Sequence, residues 1–99
     1  MASHMIPGGW SGWTEADKEV KEICEKVKHE AEAKENAKFP VYTPLNYRRQ
    51  TVAGTNYEIK VYVGNDSCLF LKAFRGIGPK PEISIKSTVM LSMPSINTH

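Results

Sequence analysis

Only two of the 99 residues are cysteine, Cys24 and Cys68, too few to staple a small secreted domain and without the close spacing of a zinc site. Both are expected as thiols rather than as halves of a disulfide. Histidine is almost as scarce. His4 and His99 lie at the ends and His29 inside a helical pattern, so a Cys–His catalytic pair would require Cys24 or Cys68 to meet His29 by accident. Cys24 and His29 are five positions apart and share a helix face poorly. There is no glycine-rich phosphate loop and no carboxylate pair apart from a solvated helix face, so the chain is not expected to be an enzyme. No apolar run approaches the roughly 20 residues of a membrane helix, and no charged leader precedes an apolar stretch. The chain is therefore expected to be cytoplasmic, although a removed leader would leave no trace and secretion stays open. Neither sign of charge dominates: 13 Lys and Arg against 11 Asp and Glu leave +2, far below the footprint of a nucleic-acid binder. No cofactor, metal, nucleic acid or membrane is expected as a partner.

What is present suits one small domain, with 40% hydrophobic and 24% charged residues. Residues 1–4 precede a second plausible initiator, Met5, and read as a remnant outside the fold. The domain then spans 5–99, opening with a flexible arm over 5–12 that holds three glycines, Pro7, Ile6 and Trp10. Trp10 and Trp13 suit either contact with a partner or a cover over the helix start, with the second preferred. Thr14 followed by Asp17 predicts a helix N-terminus, and Val20, Ile23, Cys24, Val27 and Ala31 form one apolar stripe. That helix, of about five turns, fades near Asn36, and an ordered connection is expected over 39–44, where Pro40 and Pro44 stop continuation. Acids outnumber bases eight to five over 15–35, and bases outnumber acids eight to three over 36–99.

Beyond Leu45 the period changes to two. Tyr57, Ile59, Val61 and Val63 form one inward set, Leu69, Leu71 and Ala73 the next, and Ile83, Ile85, Val89 and Leu91 the last, with Ser87 between them. Gly54, Gly64-Asn65-Asp66 and the stretch 76–81 supply the breaks. An α+β fold follows: one N-terminal helix packed across a four- to five-stranded antiparallel sheet. In such a meander the turns near Gly54 and near 76–81 emerge at one end, where the arm can join them. Ile6, Val52, Ala53 and Ile77 would there form an apolar edge shaped as a wedge. Cys24 on the helix stripe reads as a small core residue, while Cys68, near a turn, is expected to be more accessible.

Gln50-Thr51-Val52-Ala53-Gly54 fits the Gln-x-Val-x-Gly signature of the cystatins, and the run QTVAGTNY resembles the first hairpin of the stefins, their single-domain intracellular branch. The opening MIPGG, the helix, Tyr47 and Leu71-Lys72-Ala73-Phe74 extend the resemblance over 5–74. It implies tight, reversible, competitive inhibition of papain-like cysteine proteases such as the cathepsins. It also implies which residues bind the protease: Ile6, Pro7, Gly8 and Gly9 in the arm, Gln50, Thr51, Val52, Ala53 and Gly54 in the first hairpin, and Ile77, Gly78 and Pro79 in the second. Gly78-Pro79 reverses the family's usual Pro-Gly order, and the end of the chain lacks the aromatic terminus of many stefins, so contacts from that end do not carry over. A monomer is the expected active form. Two alternatives stay open: a non-inhibitory binding module of the same fold, and a domain-swapped dimer made by extending the first hairpin.

Overall fold

Asp17, rather than Thr14, begins the helix. In the computed structural model, which describes residues 9–92, the Asp17 carboxylate accepts from the Val20 amide at 2.9 Å, satisfying one of the unpaired donors of the first turn. The helix α1 then runs Lys18–Glu35, five turns as expected. Asn36 ends it in the left-handed region (φ 52°, ψ 47°), donating its amide to the Ala33 carbonyl at 3.2 Å. Thr14 is displaced from the expected capping role because Thr14–Glu15 forms a short strand, β1, opposite Tyr47 and Asn46.

Four further strands follow: β2 Thr43–Val52, β3 Gly54–Gly64, β4 Ser67–Arg75 and β5 Ile83–Ser92. They form one antiparallel sheet in the order β1-β2-β3-β4-β5. The helix stripe Val20, Ile23, Cys24, Val27 and Ala31 is buried against Tyr57, Ile59, Val61 and Val63 of β3 and Leu69, Leu71 and Ala73 of β4 in one core. Each of these faces agrees with the period that announced it.

Two further features differ from the sequence expectation. The connection is shorter than 39–44, because β2 already begins at Thr43 and includes Pro44. Pro44 is tolerated because the register shifts between Pro44 and Asn46, and such a bulge does not need the missing N–H. Within the connection, Phe39 is buried and stacks on Tyr42, with ring centres 6.0 Å apart. Its amide donates to Glu32 at 2.8 Å, which holds that carboxyl below its usual range despite opposing burial.

The second difference lies in β5. Ala73 pairs with Ile85 but Lys72 pairs with Ser87, so Lys86 is an extra residue in the strand. One inserted residue reverses the side-chain alternation beyond it. Val89 and Leu91, expected in the core, are therefore 49% and 50% exposed. Thr88 and Met90 take the inward positions opposite Leu71 and Leu69, and the Thr88 hydroxyl donates to Glu35 at the end of α1.

Candidate functional site

The β2–β3 hairpin closes on a single residue. Val52 pairs with Gly54, leaving Ala53 alone at the tip. Gly54 has φ +107°, a region that side chains disfavour, and a Cβ there would stand 2.5 Å from Phe74 Cζ and 2.7 Å from the Arg75 carbonyl oxygen. Glycine is thus required twice, for backbone angle and for space. The same closeness seats the first hairpin on Phe74 and Arg75, at the base of the β4–β5 turn. Thr51, Val52 and Ala53 are exposed, with Val52 at 45%. Gln50 is half-buried and accepts from Asn56 Nδ2 at 2.8 Å.

The β4–β5 turn is closed at its base by the Gly76 amide, which donates to the Glu82 carbonyl at 3.0 Å. Ile77 projects from it, 76% exposed, and Pro79 is exposed as well. Gly78 takes φ +115° with no atom within 4 Å of a would-be Cβ, so glycine is needed there for conformation alone. The turn is tied to the helix beneath it. Arg75 pairs with Glu19, and Glu19 accepts from the Tyr57 hydroxyl at 3.0 Å. Burial, together with that donation to a carboxylate, pushes the Tyr57 hydroxyl up. Since Thr55 pairs with Arg75, both turns stand at one end of the sheet, as the meander predicted.

Of the arm residues, Ile6, Pro7 and Gly8 lie outside the described residues. Gly9 is half-buried, and Trp10 makes a bridge to Gln50. Ser11 donates its amide to the Arg49 carbonyl at 2.8 Å, and the Arg49 amide donates to Ser11 Oγ at 3.0 Å. The preference for the tryptophans as a cover over the helix start does not hold. Arg48 points to the sheet face opposite the helix, and its guanidinium lies 4.9 Å from the Trp10 ring centre and 5.2 Å from that of Trp13. Arg48 Nε in turn donates to Glu58 at 2.6 Å, and Lys72 Nζ stands 3.3 Å from the same carboxylate. Burial would raise the Glu58 carboxyl, but the two cations outweigh it and hold it below its usual range.

Among the described residues neither cysteine offers a reacting nucleophile. Cys24 is fully buried, and burial pushes its thiol up to about 12, so it is a poor nucleophile. Cys68 is not accessible as expected: it is 1% exposed, in the strand between Tyr62 and Leu91. Among the described residues no cluster of His, Cys, Asp or Glu could hold a metal. None of the helices there is long and apolar enough to cross a membrane.

Sequence reasoning missed Asn56, Phe74 and Arg48 as parts of this end, and it placed Trp10 in the arm without the Arg48 guanidinium on which its ring lies. Asn56 was within reach, since a one-residue turn at Ala53 places position 56 opposite 50. No local signal marks Phe74 as the neighbour of Gly54.

Comparison with known proteins fits this arrangement. The family model described as Cystatin domain matches residues 8–89. Cystatin-B of Mus musculus is 44% identical over 71 residues, 72% of this chain and 72% of that protein. Cystatin-B of Homo sapiens is 40% identical over 73 residues, 74% of each, and that of Oplegnathus fasciatus is 39% identical over 71 residues, 72% of this chain and 71% of that protein.

Proposed function

The chain belongs to the cystatin family, within its stefin branch, and we propose that it blocks papain-like cysteine proteases as a wedge of three segments. It is a cysteine-protease inhibitor and not an enzyme. The proposed wedge consists of the arm residues Ile6, Pro7, Gly8 and Gly9, the hairpin residues Gln50, Thr51, Val52, Ala53 and Gly54, and the turn residues Ile77, Gly78 and Pro79.

The observation that carries this reading is the exposure of Val52 and Ile77 on two turns at one end of the sheet. Apolar side chains at such tips gain by entering a cleft, and the contact of Gly54 with Phe74 and Arg75 orders both tips before binding. A cysteine protease acts on a backbone carbonyl held against its thiolate. An inhibitor of this shape fills the cleft from both sides while placing no peptide carbonyl in position for attack. Binding is accordingly competitive, reversible and free of cleavage. The active form is the monomer, because opening the Ala53 turn to exchange strands would remove the tip itself. The cytoplasm suits both buried, reduced cysteines, and a charge of +2 offers little to a nucleic acid or a membrane.

The test is a kinetic comparison of the whole chain with a chain that begins at Gly9. The preformed hairpins guide association, and the arm secures the complex once formed, so deletion raises the dissociation rate more than it lowers the association rate. Slower association with an unchanged dissociation rate contradicts the three-part wedge.

A further inference from the structure

We infer that Trp10 and Arg48 are positioning residues for the arm: their stack holds residues 9–12 beside β2 and so fixes the point from which Ile6, Pro7 and Gly8 reach the protease. This rests on the proposed wedge and adds to it the device that holds one of its three parts.

Four observations converge on the stack. The Trp10 bridge to Gln50 and the two hydrogen bonds between Ser11 and Arg49 run the segment antiparallel to β2. Stepping back from Trp10 to Gly9 therefore moves toward Thr51 and Val52, the tip of the first hairpin. Pairing this short would be marginal alone, because Gly9 and Gly12 favour an unordered chain. The indole supplies what the backbone lacks. Its ring lies over the Arg48 guanidinium at 4.9 Å, with Trp13 on the same cation at 5.2 Å. Arg48 is itself immobilised, because Glu58 of the adjoining strand takes its Nε at 2.6 Å and draws Lys72 from the next. A row of fixed charges across β2, β3 and β4 thus sets the orientation of the cation on which Trp10 rests.

The functional consequence is entropic. Residues 9–12 are ordered before any protease arrives, so docking of the arm has fewer residues left to immobilise. The residue Trp10 bridges, Gln50, belongs to the binding edge itself. Arm and hairpin are consequently kept in register by a contact that never needs to touch the enzyme.

The test is a cycle of variants measured against papain in two backgrounds, the whole chain and the chain beginning at Gly9. Trp10→Ala and Arg48→Gln each raise the dissociation rate of the whole chain about tenfold, in keeping with loss of a partly desolvated cation–π contact. In the shortened chain the same changes alter it by less than about twofold, because Ile6, Pro7 and Gly8, the residues the stack serves, are absent. Trp10→Phe, which keeps a ring over Arg48, restores most of the loss. An equal rise in both backgrounds overturns the inference and makes Trp10 an ordinary part of the hairpin surface. Amide exchange at Ser11, followed without protease, separates this from the wider reading of function. Protection lost on Trp10→Ala supports the anchor even if the chain fails to inhibit papain, and unchanged protection overturns it even if inhibition is found.

Discussion

Gly54 and Phe74, twenty positions apart in sequence, fit together so closely that even a methyl group on Gly54 would stand 2.5 Å from Phe74 Cζ. The first tip and the base of the second turn are one packed unit, and the two exposed apolar side chains, Val52 and Ile77, take their relative positions from it.

Replacement of Gly54 by Ala is expected to weaken papain inhibition at least tenfold, about 1.4 kcal/mol. Two effects add: the strain of φ +107° and the clash with Phe74 and the Arg75 carbonyl. Phe74→Leu in the same chain relieves only the side-chain clash and recovers part of the loss. Inhibition constants for the single and double variants, measured on folded monomers, decide the matter; unaltered inhibition by Gly54→Ala would sink the assignment of the first hairpin.

Ile77 lies 76% exposed and supports little of the fold. Ile77→Asp should therefore leave the melting temperature nearly unchanged while weakening protease binding about tenfold, because a carboxylate must then be desolvated in the cleft. A variant that binds papain as well as the parent would exclude this turn from the interface.

The cross-strand parity in β5 can be checked through stability. Leu71→Ala removes a fully buried side chain and is expected to cost about 2–5 kcal/mol. Val89→Ala, on the outer face beyond the Lys86 bulge, is expected to cost under about 1 kcal/mol. Denaturant titrations giving equal costs would contradict the bulge.

Acid should loosen the chain through two carboxylates. Asp17 is held below the usual carboxylate range chiefly by the Val20 amide, and Glu32 likewise chiefly by the Phe39 amide. Because both are depressed in the folded state, their stabilisation is present above the unfolded values and disappears as pH falls through the folded ones. Thermal melts between about pH 6 and 2 should show the gap between the parent and Glu32→Gln greatest at the upper end and closing at the lower. A gap independent of pH would contradict the capping role of the Glu32 carboxylate.

Legibility in the sequence followed the range of the interactions involved. The helix stripe from Val20 to Ala31 and the alternation from Tyr57 to Val63 were readable because each is a local period imposed by one buried face. The hairpin tip was readable from Gln50 to Gly54, where a short motif and a turn coincide. The start of the helix was misplaced at Thr14, whose pairing with Tyr47 removes it from the capping role and leaves that role to Asp17. The Lys86 bulge left no local trace. Ile83, Ile85, Val89 and Leu91 alternate perfectly on paper, and the slip becomes visible only against the partner strand β4. Cys68 was misjudged for a related reason: proximity to a turn says nothing about the neighbouring strands that enclose it. The Trp10–Arg48 stack joins an irregular segment to a strand 38 positions later, as Ser11 and Arg49 do, which no short-range pattern encodes.

The central claim, a wedge that occupies the cleft without being cut, is tested most directly by titrating active papain with the monomeric protein. Residual hydrolysis of a fluorogenic peptide is followed, and the inhibitor is then recovered and weighed by mass spectrometry. Stoichiometric loss of activity, recovered on dilution with excess substrate and accompanied by an intact chain, is the expected result. Undiminished hydrolysis in the presence of folded monomer, or a chain cleaved at the Ala53 tip as activity returns, would contradict it.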